Sequence, residues 1–387
     1  MSLTERNDRT VFILGAGASH GDTLVDLFDD KETACRIPLT NQFFQSEYLG
    51  GEIEDIKRDY HDLLDYIKFG WNNYYPLGSE SWRSLNLEDV FTSLAIENEF
   101  APSDTDDKAQ TQLLLSSFKK YIRKLIGTHS LNRYGRFTRE LVKSLKTQDS
   151  IITFNYDLLI DEALILKEHP YEEPLHYEKF SDKLLGRTLH NPRAEYPFKA
   201  EQGLYLKMHG SLNWFLCTNN LCPNSDKPWV VTNTNQCLAM SQHGADFTCI
   251  YCAGLLTPYL VPPLLNKPIL RDKISRNIWG NALSILLTAS KIVIIGYSFP
   301  GTDFYSEWLF RTALKKLKNV RVWVVNPLND PDCKGSESEK ANYNAARTAF
   351  RNRVANITGY RNVSDKYYKF DQISEVLAEV RSTGQLS

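Results

Sequence analysis

Four short apolar runs constrain the fold of this chain more than any other feature of its sequence. Each run is rich in β-branched residues, and they occupy residues 10–14, 150–154, 291–295 and 320–325. Strands buried on both faces of a parallel sheet have this continuous apolar character, whereas half-exposed strands alternate. Each run ends in a polar or glycine-containing turn, and open α/β sheets bind ligands beyond the carboxyl ends of their strands. The sequence therefore predicts a doubly wound α/β fold with a ligand crevice at one sheet edge.

The composition is that of an ordinary globular protein. The 387 residues are 42% hydrophobic and 24% charged, with a net charge of −2. This balance argues against a strongly basic nucleic-acid binder, so we expect no direct sequence-specific binding of nucleic acid. Residues 1–9 lack the apolar core of a signal peptide, and the best candidate for a membrane span, residues 282–295, is interrupted by Lys291. We therefore expect a cytoplasmic protein that does not cross a membrane.

Two insertions interrupt the predicted sheet. Residues 40–145 are too long for a single crossover and show helical periodicity, with Asn86 as a predicted N-cap, so we expect a helical insertion there. Residues 215–255 form a second, cysteine-bearing insertion with little periodicity. We predict one main domain over residues 1–330 and a C-terminal extension over residues 331–387 that carries one amphipathic helix.

Three motifs carry groups suited to ligand binding and catalysis. Gly15-Ala16-Gly17-Ala18-Ser19 brings backbone N–H groups close to a pyrophosphate, although the same glycines also suit a simple strand-to-helix turn. Asn155 orients a water molecule or a sugar hydroxyl, and either it or Asp157 could instead cap the following helix. His209, in Lys207-Met208-His209-Gly210-Ser211, is suited to a general base near neutral pH or to a structural role.

Five of the seven cysteines lie between residues 217 and 252, which favours metal binding or packing in a reducing compartment over disulfides. The candidate ligands are Cys217, Cys222, Cys249 and Cys252. The second pair has the two-residue gap typical of zinc ligands, whereas four residues separate the first pair. Four thiolates form a closed, structural site. Cys237 or His243 could replace one ligand, and a module that has lost its metal is the alternative.

The order of these motifs resembles that of a known family. The chain carries, in sequence, Gly15 to Ser19, Ile37-Pro38, Thr153 to Asp157, His209-Gly210-Ser211, the cysteine cluster, Gly296-Tyr297-Ser298 and Val325-Asn326-Pro327. Over residues 10–330 this order resembles the sirtuin (SIR2) family, and specifically its bacterial SIR2-like branch associated with anti-phage defence. The resemblance implies a Rossmann-like, NAD-binding catalytic domain with a zinc-ribbon-like cysteine insertion.

The resemblance also implies a role for each candidate residue. Asn155 and Asp157 would face the nicotinamide ribose, and His209 would be the catalytic base. The pyrophosphate would lie against Gly15, Ala16, Gly17 and Ser19. The other cofactor-binding residues would be Thr153, Gly296, Tyr297, Ser298 and Asn326, of which Gly296, Ser298 and Asn326 would contact the adenosine half. Asp303 would orient the ligand or cap the helix that follows it.

Two departures from the protein-deacylating sirtuins favour a different reaction. Phe154 stands where those enzymes carry a glutamine beside the catalytic asparagine. Leu39-Thr40-Asn41 follows Pro38 in place of the aspartate-phenylalanine-arginine of the deacylase cofactor loop. We therefore expect an NAD+ hydrolase that acts in anti-phage defence by depleting NAD+, its substrate. A NAD-dependent lysine deacylase and a non-catalytic sensor of NAD or ADP-ribose are the alternatives.

Unrestrained NAD+ hydrolysis would deplete the cell's own cofactor, so we expect the activity to be conditional. We expect control by homo-oligomerisation and by a partner chain, because the C-terminal extension is small for an independent sensor domain. The resemblance points to a HerA-like ATPase first and to an Argonaute-like partner second; a monomer controlled by NAD alone is the alternative.

The C-terminal apolar stripe either packs on its own domain or contacts a neighbouring subunit: Ile373, Val376, Leu377 and Val380. The other candidate interface is the helical insertion around residues 82–100, with aromatic surface from Trp71, Tyr74, Tyr75, Trp82 and Phe91.

Overall fold

The fold is described by a computed structural model. It covers residues 9–146, 148–165, 187–188, 203–223, 225, 228–231, 237–239, 247–261, 273–301, 303–317, 320–329, 336–359 and 367–382. The strands are β1 (Thr10–Leu14), β2 (Leu24–Asp26), β3 (Arg133–Gly135), β4 (Ser150–Thr153), β5 (Arg187–Thr188), β6 (Tyr205–Lys207), β7 (Gly210–Cys217), β8 (Trp229–Val230), β9 (Phe247–Thr248), β10 (Leu255–Leu260), β11 (Lys291–Ile295), β12 (Arg321–Val325) and β13 (Tyr367–Tyr368). The α-helices are α1 (Ala16–Gly21), α2 (Ser46–Leu49), α3 (Ile53–Asp59), α4 (His61–Gly70), α5 (Leu87–Phe100), α6 (Asp106–Ser130), α7 (Arg136–Ser144), α8 (Leu159–Ile165), α9 (Lys273–Leu286), α10 (Phe304–Leu314), α11 (Glu337–Thr358) and α12 (Ile373–Ser382).

A six-stranded parallel sheet forms the centre of the molecule. Its strand order is β13-β12-β11-β1-β4-β6, and every neighbouring pair is parallel. The four predicted strands are confirmed and are the four central ones, β12, β11, β1 and β4. The two edge strands, β6 and β13, were not predicted, because three and two residues are too short to form an apolar run.

Alternate residues of each central strand face opposite helical layers. Val11 and Ile13 of β1 belong to a buried cluster that includes residues of α9, α10 and α11. Phe12 and Leu14 of the same strand belong to a second cluster, with residues of α7, α8 and α12. Both faces of the sheet are therefore covered, which explains why the strands are apolar throughout. The mixed α/β class predicted from the sequence is confirmed.

The segment between β1 and β4 is largely helical and has its own buried cluster. This helical insertion contains α2 to α7, and the antiparallel pair of β2 and β3 lies near its two ends. Asn86 is the N-cap of α5, and its side chain accepts a hydrogen bond from the N–H of Glu88, as predicted. The expectation of five exposed aromatics is met only in part. Trp82 and Phe91 are buried in the insertion core, because they pack among α4, α5 and α6 rather than facing solvent.

The cysteine-bearing insertion belongs to a second sheet of five antiparallel strands, which extends beyond residues 215–255 and includes β5 at residues 187–188. Its order is β5-β8-β7-β10-β9, and β7 and β10 are its two longest strands. The sequence analysis expected little periodicity here and did not predict these strands. Most of β7 is buried on both sides, so the alternation that marks a half-exposed strand is missing.

The C-terminal segment contributes both a strand and helices to the main sheet. The predicted helix is confirmed as α12, and its stripe of Ile373, Val376, Leu377 and Val380 is buried against the sheet. The stripe therefore packs on its own domain. A second helix, α11, was missed although Ser336 and Glu339 form a capping box at its start, which is a recognisable sequence signature. The boundary at residue 330 stays a prediction. No helix among the described residues combines the length and apolarity that spanning a membrane requires.

Candidate active site

The turn after β1 packs directly against the turn after β11. The N–H of Gly17 donates to the carbonyl of Gly296 at 2.9 Å. A Cβ atom on Gly17 would lie 2.8 Å from that carbonyl oxygen, and one on Gly15 would lie 2.6 Å from the Cα of Tyr297. Gly296 also has a φ of +60°, which favours glycine. Contact between two strand ends therefore accounts for the glycines, whatever ligand the turn also binds.

A cavity of about 490 Å³ lies at the carboxyl ends of the central strands. We call it the strand-end cavity. Its lining includes most of the predicted site: Ala16, Gly17, Ser19, Asn155, Asp157, His209, Gly296, Tyr297, Ser298 and Asn326. Gly15 and Thr153 are not among the lining residues but support Asn155 through the Gly15 carbonyl and the Thr153 hydroxyl. The cavity has a size typical of small-molecule sites.

The helical insertion contributes one wall of this cavity. Asn86, Glu88 and Phe91 of the α5 region line it, as does the loop from Ile37 to Asn41. The N–H of Leu87 donates to the carbonyl of Thr40 at 2.8 Å, so the start of α5 holds that loop. Sequence reasoning missed the α5 residues, because no local pattern shows which end of an inserted helix reaches the sheet.

Asn155 is held by a chain of hydrogen bonds. Its Nδ2 donates to the Gly15 carbonyl at 2.9 Å and to the Ser19 hydroxyl at 2.8 Å. Ser19 in turn donates to Oδ2 of Asp157 at 2.6 Å. The amide orientation is therefore fixed, and Oδ1 is left without a hydrogen-bond partner among the described residues. A carbonyl oxygen in this state is ready to accept a hydrogen bond from a bound water or hydroxyl.

Asp157 is a buried acid whose backbone carbonyl accepts a hydrogen bond from a lysine. Burial raises the pKa of its carboxyl, and the ammonium of Lys207 acts in the opposite direction. Lys207 Nζ donates to the Asp157 carbonyl at 2.6 Å and forms an ion pair with Asp161 at 2.8 Å. Asp157 Oδ1 also accepts from the N–H of Leu159, so the helix-capping interpretation is correct as well. Lys207 belongs to the motif that contains His209, but the sequence alone indicated no role for it.

His209 lies beside a second carboxylate. Its Nε2 is 3.4 Å from Oδ2 of Asp303, and the Tyr297 hydroxyl donates to the same oxygen at 2.7 Å. Asp303 occupies the N-cap position of α10 but its side chain makes no capping bond, so the capping alternative for that side chain is wrong. The carboxylate is instead directed towards the histidine. The ring of Phe154 stacks on Tyr297, with centroids 4.3 Å apart, and meets His209 edge-on at 5.3 Å.

The residues assigned to the adenosine half lie at the turns after β11 and β12. Ser298 is exposed at the rim of the strand-end cavity, whereas Asn326 is buried. The Asn326 Oδ1 accepts from the N–H of Leu328 at 3.0 Å and so shapes its own turn. Both residues line the cavity, although neither has a contact that by itself indicates an adenine or ribose site.

The four predicted metal ligands form one cluster. The sulfur atoms of Cys217, Cys222, Cys249 and Cys252 lie within 4.8 Å of one another. The separations are 3.4 Å for Cys217–Cys252 and 3.8 Å for Cys222–Cys249. Four thiolates at the usual Zn–S distance of about 2.3 Å stand about 3.8 Å apart, so the cluster fits a tetrahedral zinc ion. The cluster could therefore hold such a metal.

The other cysteines lie outside this cluster where the structure describes them. Cys237 is buried elsewhere: its carbonyl accepts from Arg123 at 2.8 Å, and its thiol approaches the Leu212 carbonyl. It is therefore not a fifth member of the set. His243 and Cys333 fall outside the described residues, and Cys35 is half-buried in the helical insertion.

Comparison with known proteins assigns the chain to a family. The profile of the SIR2-like domain matches residues 149–348, which is just over half of the chain. This protein belongs to the SIR2-like domain family. The match spans the Asn155, His209 and Asp303 region and the cysteine cluster. A search of curated proteins finds no match.

Solved structures of Sir2 proteins also resemble the chain at low similarity. A structure from work on the mechanism and regulation of Sir2 enzymes is 12% identical, covers 90% of this chain and 94% of its own, and has a TM-score of 0.38. A mutant of a Sir2 homologue in complex with ADP-ribose is 15% identical, with 90% and 93% coverage and a TM-score of 0.33. A complex of Sir2 with a p53 peptide and NAD+ is 13% identical, with 98% and 94% coverage and a TM-score of 0.32.

Proposed function

We propose that this SIR2-like protein hydrolyses NAD+ to nicotinamide and ADP-ribose. The family suggests NAD-dependent chemistry of the sirtuin kind. The observation that carries the finer proposal is Asn155, which lines the cavity together with His209 and whose buried Oδ1 has no hydrogen-bond partner among the described residues. An acceptor and a base in one cavity are what the activation of a water molecule requires.

The reaction breaks the bond between C1′ of the ribose and the nicotinamide nitrogen. The bonding electrons leave with nicotinamide, and positive charge develops on the ribose. Asn155 accepts a hydrogen bond from the attacking water through Oδ1, and His209 takes the proton that this water loses. Asp303, which is 3.4 Å from His209, stabilises the resulting imidazolium. The water oxygen bonds to C1′, and one proton is released per NAD+ consumed.

Phe154 supports hydrolysis over transfer of the ribosyl group to an acyl-lysine. Its ring stacks on Tyr297 and meets His209 edge-on, so an apolar ring occupies the position beside the catalytic asparagine. A phenyl ring offers no hydrogen bond with which to hold an amide oxygen of an acylated peptide. We therefore expect NAD+ consumption that needs no acylated peptide.

The test measures nicotinamide release from NAD+ by the purified protein, alone and with candidate partner proteins. Asn155→Ala and His209→Ala should each lower the rate by about 10²–10⁴-fold, the usual contribution of general-base assistance. His61→Ala removes an exposed histidine and serves as the control. Wild-type turnover in both folded site variants would refute the proposed roles. Release that requires an acyl-lysine peptide would favour a deacylase, and NAD binding without release would favour a sensor.

Asp303→Asn tests the contact between Asp303 and His209. The variant keeps the shape of the side chain and removes the charge that stabilises an imidazolium, so turnover should fall by about 10–100-fold, less than in His209→Ala. The pH dependence of turnover should also change, because the charged form of His209 loses the Asp303 carboxylate as its partner. An unchanged rate and pH profile would show that the 3.4 Å contact has no part in the reaction.

Control of this activity is a further part of the proposal. We propose that the chain acts as a homo-oligomer with a HerA-like ATPase, in a defence role by NAD+ depletion. Exposed aromatic residues support an interface on the helical insertion: Phe69, Tyr74 and Tyr75 are each more than 60% exposed. Light scattering of the chain with and without Tyr74→Ser and Tyr75→Ser tests this. An unchanged oligomer in the double variant would exclude this surface.

A further inference from the structure

A second, smaller cavity of about 210 Å³ lies in the helical insertion, between the end of α4 and the start of α5. We call it the insertion cavity. Its wall includes two aromatic residues, Trp71 and Tyr75, and the polar residues Asn73, Asn86 and Asp89. Asn86 also lines the strand-end cavity, so the two cavities lie on either side of the first turn of α5.

Asn73 is the feature that distinguishes this cavity from an ordinary surface cleft. The residue is 6% exposed, and neither Nδ2 nor Oδ1 has a hydrogen-bond partner among the described residues. Within that part of the chain, no other amide side chain has both ends buried and unpartnered. Its backbone N–H is satisfied by the carbonyl of Lys68, so the loop does not need the side chain to close. An unpaired buried amide destabilises the free protein, and a bound partner that pairs with it would remove that cost.

The chemistry of the lining restricts what that partner can be. An asparagine amide offers a donor beside an acceptor, which matches the N–H and acceptor pair of a carboxamide or of an adenine edge. Tyrosine and tryptophan rings bind flat heterocycles by stacking. No lysine or arginine is among the lining residues, and the exposed carboxylate of Asp89 would repel a phosphate. The volume suits one or two rings rather than a dinucleotide.

We propose that the insertion cavity binds an uncharged heteroaromatic ring that carries an amide or amidine edge, with Asn73 pairing with that edge. Nicotinamide and adenine or adenosine share this chemistry. The binding site does not depend on the proposed NAD+ hydrolysis. Any effect of this ligand on NAD+ hydrolysis does rest on that function. A ligand that contacts Asn86 touches the first turn of α5, and Glu88 of the same turn lines the strand-end cavity.

The experiment is a calorimetric titration of the full chain with nicotinamide and, separately, with adenosine. Each titration is run with excess ADP-ribose, which is expected to occupy the strand-end cavity, and again without it. We expect one of the two ligands to bind in both conditions with one site per chain. Asn73→Leu should weaken that binding at least 10-fold. The variant should melt at or above the wild-type temperature, because it removes an unpaired buried amide.

Asn277→Leu provides the matched control. Asn277 also has a buried, unpartnered Nδ2, but it lies on α9 and lines neither cavity, so binding should be unchanged in this variant. Absence of binding of both ligands to the wild-type chain would overturn the proposal, as would equal affinity in Asn73→Leu. If binding is seen while NAD+ hydrolysis is detected neither alone nor with the candidate partner proteins, the insertion site stands and the proposed enzymatic function fails.

Discussion

The strand-end cavity and the cysteine cluster are stabilised in opposite ways. Around the cavity, glycine turns at two strand ends lie in contact, and buried charges compensate one another, as in the ion pair of Lys207 with Asp161. The cysteine-bearing sheet has a small buried cluster that consists of a few aromatic and aliphatic residues and the thiols themselves. The four sulfur atoms lie within 4.8 Å of one another, so a metal ion could add to this small core.

The two regions differ in how much buried core supports them. The parallel sheet buries both of its faces, so its strand ends hold side chains such as Asn155 without a ligand being present. The cysteine-bearing sheet has only the small cluster of its own, and small modules of this kind commonly rely on metal for their folding.

The largest effect is expected from removing the proposed metal. A structural zinc ion contributes on the order of 10 kcal/mol of apparent binding free energy to its module. Cys222→Ser or chelation should therefore unfold the cysteine-bearing sheet, measured as lost metal in elemental analysis and as a lower melting temperature. Cys35→Ser is the control, because Cys35 lies in the helical insertion. A Cys222→Ser protein with wild-type stability would show that packing alone holds the module.

An intermediate effect is expected at the buried ion pair behind the cavity. Lys207→Met should cost about 3–5 kcal/mol in denaturant unfolding, because it leaves the fully buried Asp161 without its cation. Arg381→Met is the matched control: Arg381 also pairs with a buried acid, Asp149, but its side chain is 22% exposed. The control should therefore cost less. Equal losses in the two variants would mean that the cavity region has no special dependence on Lys207.

The smallest effect is a pH dependence that arises from Asp22, whose carboxyl lies at the start of α7. Burial raises the pKa of Asp22 to about 6, although the hydroxyl and N–H of Thr138 and the N–H of Phe137 donate to it. Between the unfolded value of 3.8 and 6, the folded chain binds more protons than the unfolded chain. This group therefore lowers stability as pH rises through that window, by at most about 3 kcal/mol.

Comparison of wild type with Asp22→Asn isolates this contribution from all other carboxylates. The difference in unfolding free energy between the two proteins should change in favour of the variant as the pH rises from 4 to 6. Above pH 7 the difference should become constant. A constant difference across the whole range would contradict the raised pKa and indicate that the Asp22 carboxyl titrates alike in the folded and unfolded chains.

Elements that carry a local sequence signal were predictable, and elements that lack one were not. The central strands β1 and β11 were predicted at their observed bounds, because each is a continuous apolar run. The short strand β6 carries no such run and forms only because it pairs with β4. The N-cap role of Asn86 was recognisable, whereas its position between two cavities was not.

The sequence by itself determined the mixed α/β class and the family, and ten of the twelve residues it assigned to the site line the strand-end cavity, because these depend on local composition and on short motifs. Only the tertiary structure decided that Asp303 faces His209, that Lys207 supports Asp157 and that α5 closes the cavity. Each of these contacts joins positions that are close only after the strands have taken their order in the sheet. Gly17 shows why the local sequence is not enough. A side chain at this position would collide with Gly296, and no local pattern links the two residues.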